Sequence, residues 1–406
     1  MEEWKEYKIK DICKGIFEGP HATPKESQTG GIYLGIPAIS VDGHINFRNA
    51  KRIAEEDLPL WTKRVTPQED DIVFTNEATL NLYALIPAGF HGCLGRRLGL
   101  VRPNKELVNA KYLFYYFFSP EWRNVISQNK VYGATVERIL MTKFPSFPIK
   151  LPTLPMQNRI VKILSAFDDK IEVNRRINDN LEQQAQALFK SWFVDFEPFK
   201  DGEFVESELG MIPKGWRVGS LNEIADITMG TSPSGTSYNI EGQGEVFYQG
   251  RAEFSFRFPK RNLYTTEAKR FAEVDSVLVS VRAPVGDINV AEERCCIGRG
   301  LASVKSKTNL NSYILYLMQS LNPVFDRFNG EGTVFGSINK KAFEDIQIVI
   351  PTEKETSEFN TIVCSMDGQI KRTEQESRRL AILRDTLLPK LMSGELKVNG
   401  VEKEIS

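Results

Sequence analysis

Two glycine-rich stretches of the sequence have the spacing of cofactor-binding loops. FNGEG (residues 328–332) matches the F-x-G-x-G pattern of methyltransferase cofactor loops, and GTSPSGTS (residues 230–237) has two glycines at P-loop spacing. The first follows a helix-like stretch rather than a strand, and the chain contains no Asn/Asp-Pro-Pro-aromatic motif to hold a target amine. The second has Thr236 where a P-loop needs its phosphate-binding lysine. We interpret both stretches as turns and predict no catalysis by this chain.

The residues that could hold a metal are few and scattered. The three histidines are His21, His44 and His91, and only His91 lies near a cysteine, Cys93. The five cysteines form no CxxC pair, so no ligand set has the spacing of a zinc site. We therefore predict that this chain holds neither a metal nor a cofactor.

The bulk properties of the chain are those of a cytoplasmic protein. The charged start MEEWKEYKIK lacks the apolar region of a signal peptide, and the apolar run YLFYYFF is too short to cross a bilayer. An odd number of cysteines is consistent with reduced thiols. Because the formal net charge is only −1, any nucleic-acid site must be a local patch.

The sequence contains an internal repeat. FPIKLPT (residues 147–153) matches IQIVIPT (residues 346–352) at a shift of 199 positions, and the helix-like stretches that follow match at the same shift. The earlier parts match at shifts of 205 and 212, which indicates loops of different length. The predicted organisation is a domain at residues 1–153, a helix at 154–197, a second domain at 198–352, and a distal helix with a tail at 353–406.

Each domain shows short strand-like runs separated by glycine and proline turns, with a few short helices. This pattern predicts an α+β fold with a mixed or mainly antiparallel sheet in each domain.

The two long helices share a heptad seam that is apolar at its ends and polar in its middle. We predict that they pack as an antiparallel coiled coil, with Asn174 and Asn178 facing Thr373 and Ser377. Two buried helices in ordinary bundles are the alternative, but it does not explain why both copies weaken at the same place. The predicted seam residues are Leu164, Phe167, Ile171, Asn174, Asn178, Leu181, Leu188, Met366, Ile370, Thr373, Ser377, Leu380 and Leu387.

Several segments together resemble a known family. The stretch MQNRIVKILSAFDDKIEVNRRINDNLEQQAQALFKSWFVDFEPF, followed by SELGMIPKGW, resembles the central region of specificity (S) subunits of type I restriction-modification enzymes. The stretch LLPKLMSGEL is similar to their distal region, and DSVLVSVRAPVGDINVAEERCCIGRG to a segment of their target recognition domains. The resemblance covers nearly the whole chain and is weaker in the first domain.

The resemblance implies two target recognition domains that each read half of a bipartite DNA site, with two helices that fix the unread spacer. It also implies partners: two methyltransferase subunits that bind S-adenosylmethionine and dock on the helices, and motor-nuclease subunits that join the complex. A helix of ~38 residues at ~1.5 Å per residue spans ~57 Å, which agrees with a ruler for the spacer.

On this interpretation the DNA-reading residues are arginines and lysines in loops, because arginine reads guanine and lysine binds phosphates. Small polar residues before the last strand of each domain would let the backbone approach DNA. The candidates are Arg48, Lys51, Arg52, Arg96, Arg97, Tyr132 and Thr135 in the first domain, and Arg251, Lys260, Arg261, Arg282, Arg299, Thr333 and Ser337 in the second.

Two other functions remain open from the sequence. One is a self-sufficient adenine DNA methyltransferase, against which the missing Pro-Pro motif argues. The other is a coiled-coil adaptor that does not bind DNA.

Overall fold

The computed structural model describes residues 4–47, 49–132, 136–330 and 336–398, with the backbone alone for Tyr132. The chain divides into two compact units. The first is Met1–Ile171 with Arg378–Ser406, and the second is Glu172–Ser377. Both long helices pass from one unit into the other, so each unit contains a segment of both helices.

Short strands and short helices make up most of the first unit. The strands are β1 (Lys5–Lys8), β2 (Cys13–Glu18), β3 (Gly31–Leu34), β4 (Lys51–Ile53), β5 (Ile72–Thr75), β6 (Tyr83–Leu85), β7 (Gly92–Leu94), β8 (Leu98–Pro103), β9 (Lys130–Tyr132), β10 (Glu137–Ile139) and β11 (Pro148–Leu151). The helices are α1 (Ile9–Ile12), α2 (Leu58–Trp61), α3 (Ala110–Tyr116), α4 (Pro120–Asn129) and the long α5 (Leu154–Phe193).

The second unit repeats this arrangement. Its strands are β12 (Phe204–Ser207), β13 (Gly210–Pro213), β14 (Arg217–Ser220), β15 (Ala225–Met229), β16 (Tyr238–Asn239), β17 (Glu245–Tyr248), β18 (Tyr264–Thr265), β19 (Phe271–Ala272), β20 (Val277–Ser280), β21 (Ile288–Val290), β22 (Cys295–Ile297), β23 (Leu301–Ser306) and β24 (Gln347–Ile350). Its helices are α6 (Asn311–Ser320), α7 (Asn322–Gly330), α8 (Lys340–Glu344) and the long α9 (Glu353–Ser393).

The sheets of the two units have corresponding topologies. The first unit has an antiparallel sheet in the order β2-β8-β5-β6, and the second has one in the order β15-β23-β20-β21. Each unit also has a second sheet with one parallel pair, β3 with β7 in the first and β17 with β22 in the second. The prediction of an α+β fold with mixed or mainly antiparallel sheets is confirmed.

The strand that leads into each long helix pairs with the first strand of its unit. Lys5 in β1 pairs with Leu151 in β11, and Arg217 in β14 pairs with Ile350 in β24. The offsets are 217 − 5 = 212 and 350 − 151 = 199, which are two of the shifts found in the sequence. The lead-in strand thus ties the start of α5 or α9 to its own unit.

Aromatic residues fill both cores. In the first unit the Phe117 ring stacks on Trp122 at 4.7 Å, and the Phe74 ring stacks on Phe144 at 4.4 Å. In the second unit Phe193 of α5 contacts Phe359 of α9, with 5.1 Å between ring centroids. Offset and edge-to-face contacts of this kind stabilise a core beyond the burial of area alone.

Among the helices that the structure describes, none combines the length and the apolarity that a membrane span requires.

Candidate nucleic-acid interface and helix seam

The middle of the helix seam is a hydrogen-bonded polar cluster within the second unit. Asn174 and Asn178 are almost fully buried, as is Thr373. Asn174 donates from Nδ2 to Ser377 Oγ at 3.2 Å and to Glu376 Oε2 at 2.8 Å. The Thr373 hydroxyl donates to Asn178 Oδ1. Position 174 therefore meets position 377, and position 178 meets position 373, so α5 and α9 run in opposite directions here.

Polar residues at a coiled-coil seam lower stability but fix the register of the helices. Asn178 also donates from Nδ2 to Glu374 Oε1 at 3.1 Å, so both groups of its amide have partners. Asn174 Oδ1 is buried and has no donor among the described residues. A register shift of one turn would separate these groups and leave several more of them buried without partners.

The other predicted seam positions are all buried or half-buried. Ile370 is fully buried, and Leu188 and Met366 pack at the edge of the core of the second unit. Leu164 belongs to the core of the first unit, with Phe167 and Leu387 packed at its edge. The three remaining seam residues are half-buried: Ile171, Leu181 and Leu380.

Beside the seam, a buried arginine joins both long helices to the second unit. The Arg257 side chain, which the sequence interpretation missed, is 4% exposed and pairs with Glu182 of α5. Its Nη1 also lies 2.7 Å from Asp367 Oδ1 on α9. The Tyr316 hydroxyl of α6 donates to the same Asp367 oxygen at 2.8 Å. Charged side chains that are this deeply buried are stable only while each of them has its partner of opposite charge.

The first unit contains a related group. The Tyr115 hydroxyl of α3 donates to Asp168 of α5, and Arg384 Nη1 of α9 lies 2.6 Å from Asp168 Oδ1. Tyr115 corresponds to Tyr316 at a shift of 201, and Asp168 corresponds to Asp367 at a shift of 199. Burial and the neighbouring Asp168 carboxylate raise the pKa of Tyr115. The repeated tyrosine and aspartate are visible in the sequence, but the arginine comes from a different element in each unit.

The predicted DNA-binding residues of the first unit divide into paired and unpaired side chains. Lys51 Nζ lies 2.7 Å from Glu26 Oε2, and Arg97 Nε lies 3.0 Å from Glu77 Oε1. Arg52 donates from Nη1 to the Gly30 carbonyl at 2.9 Å. Arg96 is exposed, and its guanidinium has no partner among the described residues. Arg48, Thr135 and the side chain of Tyr132 lie outside the described residues.

The candidates of the second unit divide in the same way. Arg251 pairs with Asp287, and Arg261 Nε lies 2.7 Å from Glu293 Oε1. Three side chains are exposed without a charged partner in the described part of the unit, namely Lys260, Arg282 and Arg299. Ser337 is exposed and bridges Arg282 through the backbone. Thr333 lies outside the described residues.

The unpaired arginines Arg96 and Arg299 occupy the same position in the two units. Each directly follows a glycine whose amide donates to the parallel strand: Gly95 to the Leu34 carbonyl at 2.7 Å, and Gly298 to the Tyr248 carbonyl at 2.8 Å.

Close backbone packing fixes both of these loops. A Cβ atom at Gly19 would lie 2.2 Å from the Gly95 carbonyl oxygen, and one at Gly230 would lie 2.1 Å from that of Gly298. A side chain at either position would therefore push the loop away from the end of the sheet.

The stretches that resembled cofactor and metal sites have ordinary structural surroundings. Residues 328–330 of FNGEG form the end of α7, and its last two residues lie outside the described residues. Gly230 follows β15 and begins the loop that leads to a short 3-10 helix at Gly235–Ser237. His91 Nε2 lies 2.8 Å from Glu55 Oε1. No group of three or more metal-ligating side chains occurs within the described ranges.

Comparisons with known proteins agree with this duplicated architecture. Residues 1–183 and 213–380 match the type I restriction modification DNA specificity domain. A Methanocaldococcus jannaschii protein named for the MjaX specificity subunit is 31% identical, over 98% of this chain and 94% of its own length. The HindI specificity subunit of Haemophilus influenzae is 23% identical, over 98% of this chain and all of its own.

Solved structures include two relatives that span the chain. The S subunit of a type I restriction-modification system from M. genitalium aligns with a TM-score of 0.57 and 17% identity, over 96% of both chains, and it supports the fold. The HsdS subunit from Thermoanaerobacter tengcongensis is 27% identical over 97% of both chains, with a TM-score of 0.37. From the extent of the sequence match, the chain belongs to the family of type I restriction-modification DNA specificity domains.

Proposed function

We propose that this chain is the sequence-specific DNA-binding subunit of a type I restriction-modification complex and that it has no catalytic activity of its own. In this proposal each unit reads one half of a bipartite site. The observation that carries it is the repetition of one fold with an unpaired loop arginine at the matched position, Arg96 in the first unit and Arg299 in the second. Arginine in a fixed loop is suited to bidentate contact with guanine in the major groove.

The long helices have two roles in this proposal. They set the number of unread base pairs between the halves, and they dock two methyltransferase subunits that carry S-adenosylmethionine. The polar seam supports the first role, because the hydrogen bonds of Asn174 and Asn178 fix the helix register and so fix a length. Exposed apolar side chains beside the seam, Val173 and Ile177 on α5, support the second. Motor-nuclease subunits would join this assembly.

The experiment that tests this function compares the chain with and without its methyltransferase subunits. The purified chain alone is expected to leave DNA unmethylated. The assembled complex is expected to methylate a bipartite motif in the DNA of cells that express it. Methylation by the isolated chain would support a self-sufficient methyltransferase. If the assembled complex neither bound nor methylated DNA, the chain would instead be an adaptor.

A further inference from the structure

A polar cavity lies at the strand ends of the four-stranded sheet of the first unit, where β2 and β5 end and β8 begins. Its volume is about 350 Å³. The residues that line it are Glu18, His21, Asn76, Glu77, Arg96 and Arg97. Only the two arginines of this set were predicted from the sequence as DNA contacts, so the acidic and amide side chains of the cavity have no assigned role.

One acceptor in the cavity is buried and unused. Asn76 is 5% exposed, and its Nδ2 donates to Glu18 Oε1 at 3.2 Å. Its Oδ1 receives no hydrogen bond from any described residue. Because a buried acceptor without a donor destabilises the fold, this oxygen points to a ligand that brings a donor into the cavity.

The other groups of the cavity complement this acceptor. The Glu77 carboxylate is one-third exposed, and the nearby Arg97 offsets its charge. Arg96 at the rim is exposed and has no partner among the described residues. The cavity therefore presents amide and carboxylate acceptors next to one free guanidinium.

The second unit has the same backbone arrangement at this place, but it carries a basic side chain where the first unit carries an acidic one. Glu77 forms an isolated antiparallel bridge to Arg138, and Arg282 forms the matching bridge to Ser337.

The adjacent backbone hydrogen bonds correspond as well. The Asn76 amide donates to the Arg97 carbonyl at 3.1 Å, and the Val281 amide donates to the Gly300 carbonyl at 2.9 Å. Glu77 therefore corresponds to Arg282, and the buried Asn76 corresponds to an apolar valine.

We propose that Glu77 and Arg282 are matched specificity-determining residues, and that each reads a G·C pair in its own half-site, Glu77 at the cytosine and Arg282 at the guanine. In the first unit, Glu77 accepts the one N4 hydrogen of cytosine that base pairing leaves free, Asn76 Oδ1 shares that hydrogen as a second acceptor, and Arg96 donates to the paired guanine. In the second unit, Arg282 donates to O6 and N7 of guanine. The major-groove edge of cytosine offers a donor and that of guanine offers two acceptors, which suits these two sets of side chains. The inference rests on the proposed DNA-specificity function.

The test is selection of bound sequences from randomised duplex DNA by the full chain assembled with its methyltransferase subunits. Wild type is compared with Glu77→Gln, Arg282→Gln and the control Glu106→Gln, which changes an exposed carboxylate of the first unit away from the cavity. Glutamine both donates and accepts, as adenine recognition requires. Glu77→Gln should therefore admit adenine in place of cytosine at one position of one half-site. Arg282→Gln should admit adenine in place of guanine at one position of the other half-site.

The expected loss of discrimination at each position is about 10- to 100-fold. The half-site that is not mutated should stay unchanged, which shows that each variant is folded and bound. If the wild-type complex selected a bipartite motif and both variants selected the same motif, the inference would be overturned and the proposed function would stand. A wild-type complex that enriched no sequence would contradict the proposed function itself.

Discussion

Asn174 Nδ2 lies 3.2 Å from Ser377 Oγ, which joins the middle of α5 to the middle of α9 within the second unit. With the Thr373–Asn178 hydrogen bond one turn away, this contact accounts for the polar centre of a seam that is otherwise apolar. A uniformly apolar seam would pack in several registers at similar cost, whereas buried amides have partners in only one. The polar residues thus lower the stability of the helix pair but fix its register.

The first prediction concerns this seam. Asn178→Ala removes the acceptor of the Thr373 hydroxyl and the donor to Glu374, both at a buried site. We expect a loss of about 1–3 kcal/mol in the free energy of unfolding, measured with urea. Asn180→Ala, an exposed change on the same helix, serves as the control and should cost less than about 0.5 kcal/mol. Equal effects of the two variants would contradict a structural role for the seam amide.

The second prediction compares two arginines of the second unit. Arg257→Ala leaves the carboxylates of Glu182 and Asp367 without their buried counter-charge, so we expect a loss of about 3–5 kcal/mol. Arg251→Ala breaks an exposed pair with Asp287 and should cost at most about 1 kcal/mol. Thermal unfolding followed by circular dichroism would distinguish them, and a smaller shift for Arg257→Ala than for Arg251→Ala would show that the buried group does not hold the helices.

The third prediction uses the cysteines. Burial raises the pKa of Cys13, Cys93 and Cys295 from 9.0 to about 12, and Cys296 is fully buried, whereas Cys364 on α9 is exposed. Because the thiolate is the reactive form, iodoacetamide at pH 8 should alkylate Cys364 alone in the folded chain and all five cysteines in urea. Mass spectrometry would identify the sites. Rapid labelling of Cys93 in the folded chain would be inconsistent with this core.

Because of the same pKa shifts, the stability of the folded chain depends on pH. The unfolded thiols ionise near pH 9, and the folded ones ionise only near pH 12. Their contribution to stability is therefore complete below pH 9 and is lost as the pH rises from 9 towards 12.

The two long helices can be predicted from the sequence because they depend on local periodicity, whereas the full antiparallel seam stays a prediction beyond the hydrogen bonds at its centre. The repeat at a shift of 199 predicts the strand and long helix of each copy. The spacing of Asn174 and Asn178 leads to Thr373 and Ser377 because two antiparallel helices with polar middles have few ways to pair.

The contacts that the sequence does not predict form between residues that are far apart in the chain and meet only in the folded structure. Arg257 comes from a loop whose path to α5 and α9 has no periodic signal. Asn76 and Glu77 were missed because rules for DNA contacts favour positive charge, and only the matched backbone of Arg282 brings attention to Glu77.

The ruler proposal is tested most directly by lengthening both helices together. Four residues inserted after Asn178 and four inserted after Arg372 add about one turn to each helix and keep the Asn174–Ser377 and Asn178–Thr373 pairs. One turn adds ~6 Å, which corresponds to roughly two base pairs of DNA. Sequencing of the methylated motif in cells with the complete complex should show both half-sites unchanged and a spacer about two base pairs longer. An unchanged spacer, or a change in either half-site, would contradict the account.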